Sequence, residues 1–214
     1  MPGLRFFSKM SSCDIFVYLD DVQFEKREFQ NRNKIKTASG IDYLTLPVLT
    51  KGRFSQTIKE TEINPYYDWR KEHLAKIRTN YSKAAFFNKY YPSLEKIYFK
   101  NFNKMTDISF DLINFFRDIL EIKTPFRLSS EFSLNLKSSK RLAEICFKVG
   151  AKAYLSGIGG KNYLDTEPFK ERGIEVLWQN FIVKPYPQLF GEFKPDLSVL
   201  DLIFNCGESS RRYL

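Results

Sequence analysis

Residues 14–36 read DIFVYLDDVQFEKREFQNRNKIK, and the organisation of the chain turns on this stretch. Its apolar run, Ile15-Phe16-Val17-Tyr18-Leu19, has the length and uniformity of a buried strand. The run stops at two acids, Asp20 and Asp21, and a polar loop follows with Gln23, Arg27, Asn31, Arg32, Asn33 and Lys34. A parallel sheet presents a polar site in this way, with carboxylates where the strand ends and cations and amides just beyond. A solvated loop after an ordinary strand reads the same over this segment alone, and both readings stand at this point.

Working outward, residues 4–10 predict a short helix before the strand. Residues 41–48 alternate apolar and polar side chains and predict a second strand, closed by Pro47. A basic loop with Gly52 and Arg53 leads to residues 57–63, TIKETEI, whose period of two predicts an edge strand or hairpin partner. The middle of the chain, 65–122, turns helical. One helix opens at Pro65 or Asp68 and runs to Asn80, a second spans 83–99 and is broken or started by Pro92, and a third spans 105–122. The many Phe and Tyr here read as packing rather than as a ligand platform. The last third alternates strand (125–128), helix (138–149, ending at Gly150), strand (153–155), helix (162–171), strand (174–178) and a final helix (199–204). Strands separated by helices of this length imply right-handed crossovers and a parallel sheet. The expectation is one α/β domain over 1–214 with a helical insertion at 65–122.

Composition supports a folded protein and excludes several classes. The chain has 214 residues, 43% hydrophobic with 21 Phe, enough to fill a core without disulfides. Its net charge of +9 favours anionic partners such as nucleotides, but the cations are dispersed rather than gathered in a stripe, which argues against nucleic acid. Cys13, Cys146 and Cys206 lack metal spacing, and His73 is the only histidine, so no His- or Cys-rich metal centre is expected. Unpaired cysteines fit a reducing cytoplasm, and no apolar run approaches a membrane span.

A second candidate site is the glycine loop YLSGIGGK, residues 154–161. Gly157, Gly159 and Gly160 let the backbone turn tightly and let a ligand approach main-chain N–H groups. The start of a following helix favours phosphate or carboxylate, with Ser156, Lys161, Tyr163 and Asp165 alongside. The spacing matches neither a Walker A loop nor GxGxxG, so a plain strand–helix turn is the alternative. Opposite it, Asp20 and Asp21 could bind Mg²⁺, orient a sugar hydroxyl or act as a general base. Arg27, Arg32, Lys34 and Arg53 could embrace phosphate, and Gln23, Asn31 and Asn33 offer neutral hydrogen bonds to a sugar or base.

Five blocks carry a resemblance: PGLRFFSKMSSCDIFVYLDDVQFEKREFQNRNKIKT at 2–37, LTLPV with KGRFSQTI at 44–58, WRKEHLAKIRTNYSKAAFF at 69–87, SSKRLAEICFKVGAKAYLSGIGGKNYLD at 138–165, and YPQLFGEFKPDLSVLDLIFNCG at 186–207. Together they resemble the WbqC-like family of bacterial proteins over nearly the whole chain. The resemblance implies a connection with surface-polysaccharide biosynthesis, O-antigen or capsule; on that footing the first reading is a cytoplasmic enzyme that acylates or aminoacylates a nucleotide-linked amino sugar. ATP or a nucleotide sugar with Mg²⁺ would be its ligand. A noncatalytic partner of such an enzyme is the rival. Family members usually open with a strand and an HQPxYLPWxGYF-like motif, whereas Met1-Pro2-Gly3-Leu4-Arg5-Phe6-Phe7 resembles only the end of that motif. The resemblance thus implies that the opening strand and its His-Gln pair are missing, leaving this copy inactive or its true start upstream. A strand–HxP–helix opening is reminiscent of nucleotidylyl transferases. By that analogy the expected fold is a three-layer, mostly parallel sheet of the nucleotidylyl-transferase or Rossmann kind.

Overall fold

A computed structural model describes residues 1–26 and 28–214. Arg27, one of the expected phosphate contacts, lies outside the described residues. Among those residues the chain forms helices α1 (Leu4–Ser11), α2 (Trp69–Tyr81), α3 (Phe87–Tyr98), α4 (Met105–Ile119), α5 (Ser138–Lys148), α6 (Glu167–Lys170) and α7 (Val199–Cys206). The strands are β1 (Phe16–Tyr18), β2 (Arg32–Thr37), β3 (Gly40–Thr45), β4 (Phe126–Leu128), β5 (Ala153–Ser156) and β6 (Glu175–Trp178).

The mixed α/β class and the parallel pairing are as expected, but the expected continuous three-layer sheet is not formed. β1 pairs parallel with β4, β5 pairs parallel with β6, and β2 pairs antiparallel with β3, as three separate two-stranded sheets. Phe16 stands opposite Phe126 and Tyr18 opposite Leu128, while Ala153 stands opposite Glu175 and Ser156 opposite Trp178.

The main core gathers α2, α3, α4 and α7 against β2 and β3. Ile35, Leu44, Ile77, Leu94, Phe116, Ile203 and Phe204 are all essentially buried there. A smaller core under β5 and β6 holds Ala143 and Cys146 of α5, Phe169 of α6 and Ile174. The helices predicted over 65–122 thus share one core with strands from both sides of the sequence.

Four expectations are corrected. Residues 57–63 form no strand: a 3-10 turn spans Ile58–Glu60, and the neighbouring chain makes only isolated bridges, Gln23 to Thr57, Val48 to Ile63 and Glu62 to Lys104. The cause is a capping box. Glu60 accepts from both the N–H and the hydroxyl of Thr57, at 2.8 Å each, and bends the backbone out of extension. The polar stretch after Asp21 gives way to a strand at Arg32, where β2 begins. The helix expected over 162–171 is a 3-10 turn, Ile158–Asn162, followed by the short α6. Finally, α3 runs through Pro92 rather than starting or stopping there. Buried Tyr90, Tyr91, Leu94 and Tyr98 on both sides of the proline outweigh the lost backbone bond.

Candidate functional site

Asp20 and Asp21 do stand at the end of β1, and β4 ends beside them. Asp20 is only 3% exposed. Its Oδ1 accepts from the Ser130 N–H at 2.9 Å and the Ser129 hydroxyl at 3.1 Å, and its Oδ2 accepts from the Ser130 hydroxyl at 2.7 Å. Asp21 Oδ1 shares the same Ser129 hydroxyl, and Asp21 Oδ2 accepts from Arg141 Nη2 at 2.6 Å. Arg141 also donates to the Leu134 carbonyl at 3.0 Å, so α5 is tied to the ends of both strands. Burial opposes ionisation of Asp21, but the Ser129 hydroxyl and the Arg141 guanidinium outweigh it and hold the carboxyl below the usual range.

This geometry decides the metal question for the acid pair. Every carboxylate oxygen already accepts a hydrogen bond, and a guanidinium stands where a dication would have to compete. Among the described residues no three His, Cys, Asp or Glu cluster closely enough to hold a metal ion. The residues do not fit a protein-held Mg²⁺.

Most of the polar residues after Asp21 are engaged within the fold. Asn31 Nδ2 donates to the Leu46 carbonyl at 2.9 Å. Asn33 is buried, with Nδ2 donating to the Met1 carbonyl at 2.9 Å. The Arg32 guanidinium lies over the Tyr43 ring, and the Lys34 ammonium over Phe29. Arg53 pairs with Glu62 at 2.9 Å, and Gln23 Nε2 reaches the Phe54 carbonyl at 3.3 Å.

The glycine loop leaves β5 at Ser156. A Cβ on Gly160 would run into the Ser156 hydroxyl and stand 3.0 Å from the Trp178 ring, so that glycine is required by packing. A Cβ on Gly159 would meet nothing within 4 Å. Lys161 lies over Trp178, Asp165 Oδ1 accepts from the Glu167 N–H at the start of α6, and Tyr163 points to solvent. Lys9 of α1 reaches this loop: its Nζ lies 3.5 Å from where a Cβ on Gly157 would be. Burial lowers the Lys9 pKa below the usual lysine range, with the Cys13 thiol pulling it back.

Between the two candidate clusters runs a groove of about 830 Å³, lined by residues 12–19 on one wall and 149–155 on the other, with Phe6, Lys9, Ile113, Leu142 and Ile145. Its walls stop at Leu19 and Leu155, one residue before Asp20 and Ser156. None of the predicted site residues that the structure describes lines the groove; Asp20 and Ser156 each follow directly on a wall residue. That volume suits a ligand of nucleotide-sugar size.

Sequence reasoning gave His73 no site. It is 5% exposed, in α2, beside a water-sized cavity of about 20 Å³ shared with Met1, Gln30, Asn31 and Ser109. Its Nε2 lies 3.0 Å from the Thr45 carbonyl, which can only accept, so Nε2 carries the hydrogen. The Tyr98 hydroxyl then faces Nδ1 at 3.4 Å. Burial pushes its pKa down to about 4, so the ring is neutral at pH 7. A single histidine amid a helix gives no signal of this in sequence.

Comparison with known proteins assigns the chain. No solved structure matches it. A Mycobacterium tuberculosis protein described as uncharacterized is 36% identical over 216 residues, covering 100% of this chain and 93% of that relative. The WbqC-like protein family matches residues 1–213. The chain is a member of the WbqC-like protein family.

Proposed function

We propose that this protein is a cytoplasmic enzyme of bacterial surface-polysaccharide biosynthesis that attaches an acyl or aminoacyl group to the nitrogen of a nucleotide-linked amino sugar. The observation that carries the reading is the groove mouth. β1 ends at Tyr18, two residues before Asp20, and β5 ends at Ser156, with Lys9 beside Gly157. The strand ends of parallel α/β proteins are where nucleotide ligands bind, and a ribbon end with a half-buried ammonium suits a diphosphate. A net charge of +9 favours the same class of ligand. In this reading Lys9 and the backbone N–H groups of the glycine loop face the phosphates, while Asp20 and Asp21 hold the rim in shape through Ser129, Ser130 and Arg141.

One observation favours a noncatalytic binding role instead. The acid pair, the natural general base, has its oxygens engaged by two serines and an arginine. A thermal-shift screen against ATP, UDP-sugars and dTDP-amino sugars, each with and without Mg²⁺, tests the ligand class. A ligand that binds the native state raises the midpoint by mass action. A shift with a nucleotide sugar, followed by covalent change of its amino group, supports the enzyme. Binding without any change supports the partner role, and no shift with any of them overturns both.

A further inference from the structure

Most aromatic residues of 65–122 pack inside, but Tyr66, Tyr67 and Phe99 are 88%, 64% and 69% exposed, and Phe54 is 80% exposed. Among the described residues seven large apolar side chains are more than 60% exposed, and these are four of the seven. Single exposed apolar residues are ordinary; several together mark a surface that meets something. All four stand on turns, at 50–55, 64–68 and 99–104. The three turns are tied to one segment, 61–64. The Leu49 N–H donates to the Glu62 carbonyl at 2.9 Å, and Arg53 pairs with the Glu62 carboxylate at 2.9 Å. The Ile63 N–H donates to the Asn103 carbonyl at 2.9 Å, and the Asn64 N–H to the Pro47 carbonyl at 2.8 Å. Arg70 joins the second turn to the third, with Nε on the Tyr98 carbonyl at 2.9 Å and Nη2 on the Lys100 carbonyl at 3.3 Å. The four rings therefore leave neighbouring stretches of backbone. The same stretches are basic: residues 50–55, 64–71 and 99–104 hold Lys51, Arg53, Arg70, Lys71, Lys100 and Lys104 against one acid, Asp68. Glu62 and Asp111, from outside the turns, pair with Arg53 and Lys100 at 2.9 and 2.7 Å, so a surplus of three positive charges remains.

We propose that these three turns form a docking surface for the headgroup layer of an anionic phospholipid bilayer. The Tyr and Phe rings enter the interface, where an apolar body with a polar tip is favoured, and the Lys and Arg heads meet lipid phosphates. An anionic leaflet attracts such cations within about a Debye length of its surface. The placement selects this occupant. A nucleic-acid strand is bound in a basic groove or on an aromatic sheet face, whereas these rings stand on separate turn tips. The core of a protein–protein interface is depleted in lysine, whereas here Lys71 and Lys100 are sequence neighbours of the exposed rings and Lys26 lies 5.6 Å over Phe54. The Phe54 turn also adjoins the groove: Gln23 Nε2 reaches the Phe54 carbonyl at 3.3 Å, and Val22 beside it lines the groove. Docking therefore brings the groove to the membrane surface.

The test is co-sedimentation of the full chain with extruded vesicles, of phosphatidylcholine alone and with about one third phosphatidylglycerol, in about 0.1 M and about 0.5 M salt. Binding to the phosphatidylglycerol vesicles in low salt is expected to be about tenfold or more tighter than under the other conditions. Lys71→Glu with Lys104→Glu is expected to weaken it about tenfold or more. The same two reversals on α5, Lys140→Glu with Lys148→Glu, are expected to weaken it by no more than about threefold. Tyr66→Ser with Phe99→Ser, which leaves the charge unchanged, is expected to weaken it about tenfold as well. Melting midpoints show that each variant folds. Should one not fold, Tyr66→Trp reads the same contact: its fluorescence, compared with wild type, is expected to shift to the blue on adding anionic vesicles, and no shift overturns the proposal. No binding to anionic vesicles, equal losses from the two charge-reversed pairs, or full binding by Tyr66→Ser with Phe99→Ser overturns it too. Saturable binding of a single-stranded RNA, or a concentration-dependent dimer, that is lost in Tyr66→Ser with Phe99→Ser would give the surface another occupant and overturn it as well. None of these readouts uses a nucleotide sugar, so this inference and the functional reading fail separately.

Discussion

Ser130 holds both carboxylate oxygens of Asp20, its N–H on Oδ1 at 2.9 Å and its hydroxyl on Oδ2 at 2.7 Å. The end of β1 is thereby latched to the turn after β4, a connection that spans 110 residues of sequence. With Ser129 and Arg141 added, the latch extends to Asp21 and α5. Replacing Asp20 by Ala leaves both Ser130 donors unpaired at a buried site, while the Ser129 hydroxyl keeps Asp21. It is expected to destabilise the fold by about 2–4 kcal/mol in urea denaturation. Wild-type stability in Asp20→Ala would show the latch to be dispensable and return Asp20 to a purely chemical role.

His73 makes stability pH-dependent, with a definite sign. Its folded pKa of about 4 lies below the ordinary 6.5, so between those values the unfolded chain binds a proton that the folded chain refuses. Stability from this group is fully present above pH 6.5 and falls as pH drops toward 4. The loss is about 3 kcal/mol. Unfolding free energies at pH 7 and pH 4.5 for wild type and His73→Gln measure it; an equal acid loss in both proteins would remove His73 as the cause.

Two neighbouring glycines should behave differently. Gly160→Ala forces a methyl against the Ser156 hydroxyl and the Trp178 ring and should cost about 1–3 kcal/mol. Gly159→Ala meets open space and should stay within about 0.5 kcal/mol. Melting of the two variants decides it, and equal effects would contradict the described turn.

Asp201 lies at the centre of a buried polar knot. It accepts from the Tyr81 hydroxyl at 2.8 Å and the Tyr186 hydroxyl at 2.9 Å, and Tyr81 in turn accepts the Lys36 backbone N–H at 2.9 Å. Tyr81→Phe strips one donor from Asp201 and the acceptor from Lys36, so it should cost about 2–3 kcal/mol, more than Tyr186→Phe. Urea midpoints of the two variants, compared at unchanged slope, report the difference, and the reverse order would contradict the knot.

Elements with a clear hydrophobic period were legible in the sequence: β1 as an uninterrupted apolar run, α4 and α5 through helical spacing. β2, RNKIKT, was not, because its buried positions include Asn33 and Lys36, whose burial is made tolerable by distant groups. Asn33 meets the Met1 carbonyl, and the Lys36 ammonium meets the Glu192 carbonyl at 2.6 Å. Local sequence carries no trace of such partners. The turn at residues 58–60 did leave a trace, since Thr57 and Glu60 have capping-box spacing, but the period of two around them was the louder pattern. At the candidate site the acids and glycines are where strand ends were expected. What the sequence could not show is that Ser129, Ser130 and Arg141 occupy the acids, or that Lys9 from α1 meets the glycine loop.

The most direct measurement of the central claim is a calorimetric titration of a dTDP- or UDP-linked amino sugar into the wild-type chain and into Lys9→Ala. Saturable binding by the wild type, weakened about tenfold or more in Lys9→Ala, is the predicted result. Absence of binding to the wild type, or equal affinity in both proteins, would contradict a nucleotide-sugar site at the groove mouth.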